Sequence, residues 1–119
     1  MTEIHLENMA FYAKHGCFEE ERVIGTRFVA DCKLVYDATE AACQDDISKA
    51  IDYQHVYTII KKEMEQPSAL LEHVARRILD ALHAQWPQLL QAEVRLCKLQ
   101  PPLGGNIGRV CVVMHSEDR

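Results

Sequence analysis

Two stretches near the start of the chain alternate between polar and apolar residues, which is the pattern of a strand with one buried face. The first is Thr2–Leu6 and the second is Arg27–Tyr36. The apolar face of the second stretch holds Phe28, Ala30, Cys32, Leu34 and Tyr36. Between the two lies a polar connection that contains His15-Gly16 and three consecutive glutamates and ends near Gly25. The pattern therefore predicts a strand, a loop and a second strand.

Apolar residues then recur at helical spacing in two segments. The first runs from about Gln54 to Met64, after a stretch over residues 38–50 that predicts a short helix or turn. The second segment carries a longer apolar stripe at Leu71, Val74, Ala75, Ile78, Leu79 and Leu82. Its helix should begin after Ser68, whose hydroxyl can cap it, and end near Trp86, because Pro87 disfavours helix at the residue before it.

The last part of the chain predicts two more strands, Val94–Leu99 and Arg109–His115, joined by an irregular loop that starts at Pro101. This order of elements predicts one α+β domain over residues 1–119, with a four-stranded antiparallel sheet and two helices packed on one face. Such a sheet has two open edges, which the chain would hide most simply by pairing edge to edge in a closed ring. A homo-oligomer is therefore expected.

Charge and composition narrow the classes of partner. The chain has 13 Lys and Arg against 18 Asp and Glu, a net charge of −5, which argues against nucleic acid as a partner. No apolar run approaches the ~20 residues that span a bilayer, and the N-terminus lacks a signal-peptide pattern, so we expect a cytoplasmic protein without membrane contact. The five cysteines are odd in number and include no Cys-x-x-Cys pair, which favours reduced, mostly buried thiols.

The motifs give no support to metal or covalent chemistry. The six histidines and five cysteines show no metal-ligand spacing such as His-x-His, Cys-x-x-Cys or His-Glu-x-x-His. No nucleophile elbow, phosphate-binding glycine loop or dinucleotide motif is present. We therefore expect no metal site and no nucleotide cofactor.

Four polar segments fall where predicted elements end, the usual location of site residues carried on a scaffold. They are the acidic loop, Tyr53, Glu72 and Lys98. Each also has a plain structural explanation. Glu72 could only steady the first turn of its helix, Lys98 could face solvent from its strand, and Tyr53 could be a core aromatic. Glu21 could be one of three solvated loop charges.

Taken in order, four blocks of sequence resemble the dihydroneopterin aldolase family over nearly the whole chain. The blocks are Asn8–Gly16 followed by Glu20-Glu21 and Gly25, Asp45-Asp46 leading to Ile51-Asp52-Tyr53, Leu70-Leu71-Glu72-His73, and Lys98 before Pro101-Pro102. The resemblance implies the tunnelling fold (T-fold), in which such units close edge to edge into a tetrameric ring and two rings commonly stack as an octamer. Active sites then lie between neighbouring subunits. The chain departs from the usual family pattern at Ala13, Thr26 and Leu99, which leaves substrate preference open.

The resemblance also implies a reaction and its residues. The family cleaves the side chain of 7,8-dihydroneopterin in folate biosynthesis, releasing glycolaldehyde and 6-hydroxymethyl-7,8-dihydropterin. It needs neither metal nor organic cofactor, because the dihydropterin ring accepts the electrons. By motif position, Glu72 would anchor the pterin, with Leu71 and the Tyr53 backbone as further contacts. Lys98 would act as general base through water, Tyr53 from the neighbouring subunit would help deliver a proton, and Glu21 would place the relay water.

Three questions stay open at this stage. The first is whether Glu21 or its neighbour Glu20 is the loop carboxylate in the site. The second is whether the chain is a dihydroneopterin triphosphate 2′-epimerase, or has that side activity, since a triphosphate would favour a basic rim such as Lys14, Arg22, Arg27 and Arg109. The net acidity favours the unphosphorylated substrate. The third is whether the chain is a non-catalytic pterin-binding protein, which would keep Glu72 but could dispense with Lys98 and Tyr53.

Overall fold

The computed structural model describes residues 1–18, 21, 25–101 and 104–119. Its main elements are β1 (Thr2–Ala13), β2 (Thr26–Tyr36), α1 (Thr39–Gln44), α2 (Tyr53–Met64), α3 (Leu71–Gln85), β3 (Gln91–Leu99) and β4 (Arg109–His115). Two short 3-10 helices lie at Ile47–Lys49 and Ser116–Asp118. The predicted order of strands and helices is confirmed, and α1 lies in the stretch expected to be a short helix or turn. Within the described ranges, no helix combines the length and the apolar character that a bilayer-spanning segment requires.

The four strands form one antiparallel sheet in the order β1-β2-β3-β4. Phe28 on β2 lies opposite Lys98 on β3, which in turn lies opposite Val110 on β4. Alternate residues of a strand point to opposite faces, so these three side chains share one face of the sheet. β1 and β4 are the edge strands, and each pairs on one side only in the part of the chain that the structure describes.

β1 runs well past its predicted end at Leu6. The register shifts between Leu6 and Met9, where three steps along β1 match two steps along β2. Asn8 takes the left-handed conformation there, with φ 59°, and its N–H donates to Asp31 Oδ1 at 2.8 Å. This β-bulge inserts one extra residue and breaks the alternation that predicted the strand. The alternation of polar and apolar residues therefore predicts the strand only as far as the bulge.

The core lies between the sheet and the two long helices. All six residues of the predicted α3 stripe are buried, and α2 adds Val56, Ile60 and Met64. On the sheet side, Phe28, Leu34 and Leu96 are at most 1% exposed. Burying one large apolar side chain contributes about 1.5–3 kcal/mol. The prediction of two helices packed on one face of the sheet is confirmed.

The cysteines differ from the prediction of reduced, mostly buried thiols. Cys97 and Cys111 lie directly opposite each other on β3 and β4 and form a disulfide. Cys32 is a buried thiol, and burial raises its pKa to about 12. Cys17 and Cys43 are exposed. The prediction was wrong for the bonded pair because this pairing depends on the register between β3 and β4, which the sequence does not show.

Candidate active site

Lys98 lies on the helix-covered face of β3, near the end of the strand. Leu96, the preceding residue on that face, is fully buried, and Phe28 and Val110 flank Lys98 from the neighbouring strands. Only 15% of the Lys98 side chain is exposed. Lys98 is therefore not an ordinary solvent-facing lysine of a surface strand.

The ammonium group of Lys98 forms an ion pair with the carboxylate of Glu21, whose side chain is 4% exposed. We call these two residues the buried pair. The second carboxylate oxygen, Glu21 Oε1, lies 3.5 Å from the Phe18 N–H that donates to it. Gly16 makes room for the carboxylate, because a Cβ at that position would lie 2.5 Å from it. The structure thus brings Glu21 and Lys98 together, whereas Glu20 lies outside the described residues.

Burial makes each charge of this pair depend on the other. Removing an ion from water costs several kcal/mol, and the attraction between two buried ions offsets that cost only while both are present. The pair therefore holds Lys98 Nζ in a fixed position.

His15 is completely buried close to the pair. The Ser68 N–H donates to His15 Nδ1 at 3.2 Å, so the ring proton belongs on Nε2. Nε2 makes no hydrogen bond of normal geometry with the described residues, although the Met64 carbonyl is close enough to favour a protonated ring. Burial, and then the positive charges of Arg77 and Lys98, lower the pKa of His15 to about 4, although the Met64 carbonyl opposes the shift. The ring is therefore uncharged near neutral pH.

Arg77 on α3 fixes the connection between α2 and α3. Its guanidinium donates to Glu63 Oε1 at 2.7 Å, to the Glu63 carbonyl at 3.0 Å, to the Gln66 carbonyl at 2.9 Å and to Ser68 Oγ at 3.1 Å. The Ser68 hydroxyl is thus occupied by a cation and does not cap α3. The N-cap residue is Leu70, which provides no side-chain cap. The predicted cap was wrong because Arg77, from the helix itself, takes the hydroxyl.

Glu72 lies in the first turn of α3, and its side chain is exposed. Leu71 before it is buried, with 9% exposure. The first turn of α3 has no side-chain cap, and the helix dipole favours an anion there. Glu72 follows Ser68 by four residues, so the connection that bonds His15 leads directly to it.

Tyr53 is the first residue of α2 and is 64% exposed, so it is not a core aromatic. The Asp52 side chain caps the helix by accepting from the Gln54 N–H at 2.9 Å. At 1.5 Å per residue, Tyr53 lies roughly 16 Å along the axis from Met64, whose carbonyl acts on His15. Within one chain, Tyr53 and the buried pair therefore lie near opposite ends of α2.

The face of the sheet opposite the helices carries a separate feature. Arg27 precedes Phe28 and Arg109 precedes Val110, so both arginines point away from the face that holds Lys98. They line an open cavity of about 550 Å³, together with Tyr12, Gly25, Thr26, Leu99, Gln100 and Gly108. Elsewhere, over the ranges that the structure describes, no group of three or more His, Cys, Asp or Glu side chains is placed to hold a metal ion.

Sequence reasoning missed His15 as part of this site. Its only signal was its place in the His15-Gly16 dipeptide ahead of the acidic loop, which says nothing about burial. The contact with Ser68 spans 53 residues of chain, so no local pattern could reveal it. The ring is recognised only once the two loops lie together.

Comparisons with known proteins identify the family and the fold of the chain. The chain matches the model of the family described as dihydroneopterin aldolase, FolB, over residues 4–115. It is 34% identical over 116 residues to the dihydroneopterin aldolase of Staphylococcus epidermidis, covering 97% of this chain and 96% of that protein. It is 32% identical over 113 residues to the enzyme of that name from Bacillus subtilis, covering 94% of each. Among solved structures, E. coli dihydroneopterin aldolase in complex with neopterin has a TM-score of 0.88 at 22% identity, covering 97% of this chain and 98% of that chain.

Proposed function

The chain belongs to the dihydroneopterin aldolase family and is a lyase, and from this premise we propose that it cleaves 7,8-dihydroneopterin without metal or organic cofactor. The products are glycolaldehyde and 6-hydroxymethyl-7,8-dihydropterin, as a cytoplasmic step in folate biosynthesis. The observation that carries this proposal is the buried pair of Lys98 and Glu21, one connection away from the exposed carboxylate of Glu72.

Glu72 anchors the pterin ring in this proposal. The ring presents an amino group and a ring N–H side by side, and the two oxygens of one carboxylate can accept from both. Charge-assisted hydrogen bonds of this kind contribute about 1.5–3 kcal/mol each. The exposure of Glu72 leaves its carboxylate accessible to a ligand, while the buried Leu71 holds the first turn of α3 against the core.

Lys98 acts on the side chain of the substrate. In its uncharged form, Lys98 is the general base: through a water molecule that Glu21 positions, it takes the proton of the hydroxyl on the second side-chain carbon. The bond between the first and second carbons then breaks, the second and third carbons leave together as glycolaldehyde, and the electron pair stays on the first carbon. That pair is delocalised into the imine of the dihydropterin ring as an enamine. A proton returned to the first carbon completes the product.

Tyr53 assists that last protonation, and it does so from a neighbouring subunit. The length of α2 separates Tyr53 from the buried pair of its own chain by more than a hydrogen bond can span. The open edges of β1 and β4 support an edge-to-edge ring that would bring one subunit's Tyr53 to the next subunit's pair. The assembly is proposed to be a tetrameric ring, with two rings stacked as an octamer.

Substrate charge separates this reaction from the triphosphate 2′-epimerase alternative. A triphosphate chain extending from the same site would require cations on the Lys98 face of the sheet. Arg27 and Arg109 point to the opposite face, and Arg22 lies outside the described residues. Lys14 is exposed on the loop that leads to Glu21 and is one cation against a net charge of −5. These positions favour the unphosphorylated substrate.

The experiment is to treat purified protein with a chelator and incubate it separately with 7,8-dihydroneopterin and with its triphosphate. We expect equal amounts of glycolaldehyde and 6-hydroxymethyl-7,8-dihydropterin from the first substrate. If the triphosphate is epimerised and the free pterin is cleaved little, the epimerase activity would replace the aldolase activity as the assigned function. Activity that vanishes on chelation and returns with a metal would overturn cofactor independence, and binding without any turnover would leave a pterin-binding protein.

A further inference from the structure

We propose that His15 is a positioning residue, which bridges the connection between β1 and β2, where Glu21 lies, to the segment that carries Glu72 and so aligns the buried pair with the pterin anchor. This inference rests on the proposed function, because it assigns His15 an effect on that reaction. It concerns a side chain that touches neither the substrate nor the reacting atoms in the proposed mechanism.

The bridge consists of two reciprocal hydrogen bonds on one residue. The Ser68 N–H donates to His15 Nδ1 at 3.2 Å, and the Gly16 N–H donates to the Ser68 carbonyl at 2.9 Å. Two consecutive loop residues therefore hold both backbone groups of Ser68. Cys17 adds a thiol contact of 3.5 Å to the Ala69 carbonyl. The two loops are tied along their length and should move as one unit.

Each end of the bridge reaches a proposed functional group. On one side, Gly16 lies directly beneath the Glu21 carboxylate, so a displacement of Gly16 displaces Glu21. On the other side, Ser68 leads within four residues to Glu72. The ring also packs edge to face against Phe28, with 5.4 Å between ring centroids, and Phe28 is the strand neighbour of Lys98. The His15 side chain thus contacts the supports of Glu72 and Lys98, and the next residue in the chain, Gly16, supports Glu21.

The position requires an uncharged acceptor, which explains a histidine there. A protonated ring has no lone pair on Nδ1 and could not accept from the Ser68 N–H. Arg77 and Lys98 both disfavour a positive ring, and burial acts in the same direction. An asparagine at residue 15 would keep an oxygen near the place of Nδ1, whereas a glutamine would carry its oxygen further out, near the place of Nε2. These two amides therefore separate the acceptor position from general polarity and size.

The test compares His15→Asn and His15→Gln. Turnover is expressed per active site, counted by titration with neopterin, so that a loss of folded protein does not count as a loss of rate. We expect His15→Gln to lower kcat by about 10²-fold, the scale of a 1 Å misplacement, and to change the Kd for neopterin by less than about threefold. The kcat of His15→Asn should be at least about tenfold higher than that of His15→Gln. Equal losses in the two variants would overturn the proposal.

A double variant tests whether His15 acts through the buried pair. If it does, adding His15→Gln to a Glu21→Gln variant should lower kcat little further. If the two residues act independently, the fold-losses in kcat of the two single variants should multiply. The matched control is His83→Gln. His83 is a half-buried histidine that bonds Ser116 Oγ at 2.7 Å, roughly 18 Å along α3 from Leu71. It should leave kcat unchanged, and a loss there as large as that of His15→Gln would count against a specific bridge.

Hydrogen exchange keeps this inference separate from the proposed reaction. In His15→Gln, the Ser68 amide, which donates to His15 Nδ1, should exchange at least about tenfold faster than in the wild-type chain, and in His15→Asn it should stay protected. This measurement needs no turnover, so an inactive wild-type protein would refute the reaction and leave the bridge to be decided by exchange. Unchanged protection in His15→Gln would overturn the bridge. If that variant does not fold, lost protection in His15→Asn would overturn it and retained protection would support it.

Discussion

Replacing Lys98 by methionine should lower the free energy of unfolding by about 3–5 kcal/mol. Methionine keeps the straight apolar stem and removes only the charge. The cost follows from burial, because the Lys98 side chain is 15% exposed and that of Glu21 4%, so the carboxylate would remain in the interior without a counter-charge. Glu21→Gln should be costly for the converse reason. Removing both charges with Lys98→Met and Glu21→Leu should return stability to within about 1 kcal/mol of the wild type, since no unpaired ion is left.

Urea unfolding at one fixed protein concentration measures these differences. The single tryptophan, Trp86, is 7% exposed and reports loss of the core by its fluorescence. Lys49→Met is the matched control, because the Lys49–Glu40 ion pair has a 2.7 Å contact but side chains that are 35% and 66% exposed. That variant should cost less than about 1 kcal/mol. If Lys98→Met cost no more than this control, the pair would be solvated and its assigned positioning role would fail.

Four further changes have defined outcomes. Lys98→Ala should lower turnover by roughly 10²–10⁴-fold while neopterin binding by titration stays largely intact, and unchanged turnover would remove Lys98 from the reaction. Glu72→Ala should abolish tight neopterin binding in the same titration, so retained affinity would place the pterin elsewhere. Cys111→Ser opens a loop with a sequence separation of 14 residues and should cost about 3 kcal/mol in urea unfolding, an effect that a reductant should reproduce in the wild type but not in the variant. The pKa of His15 is about 4 in the folded chain against its ordinary 6.5, so as the pH falls the unfolded chain binds the proton first. The contribution of His15 to the free energy of unfolding should therefore be fully present above about pH 6.5 and fall by up to about 3 kcal/mol towards pH 4. Urea unfolding of His15→Gln should lack this pH dependence.

The sequence was sufficient for the order of elements because local patterns carry it. The alternating polar and apolar residues of β2 and the apolar stripe of α3 are both visible over short stretches of sequence. Each pattern arises because one face of the element is buried. The β1 pattern failed at Asn8, where an extra residue inverts the alternation. The cap at Ser68 failed because Arg77, nine residues further on, takes the hydroxyl. Local patterns omit partners that only the folded chain supplies.

The site was predictable only in part for the same reason. Motif resemblance pointed to Glu21, Lys98, Glu72 and Tyr53, but no spacing shows that a loop carboxylate reaches a strand lysine 77 residues away. Burial separates Lys98 from an ordinary strand lysine, and burial depends on which face of β3 the helices cover. The bridge through His15 and the Cys97–Cys111 disulfide likewise depend on contacts between distant segments.

The bulge in β1 gives this edge strand a single place where its length can change. Upstream of it, the even-numbered residues Ile4 and Leu6 turn towards the core, and downstream the odd-numbered Met9 and Ala13 do. Deleting Asn8 would convert the bulge into regular pairing, with every later side chain keeping its face and the loop to Glu21 keeping its origin. Deleting one residue anywhere after Met9 would turn the remainder of the strand over and rotate that loop out of place. We therefore expect β1 to tolerate a one-residue change in length only at the bulge around Asn8 if the buried pair is to stay intact.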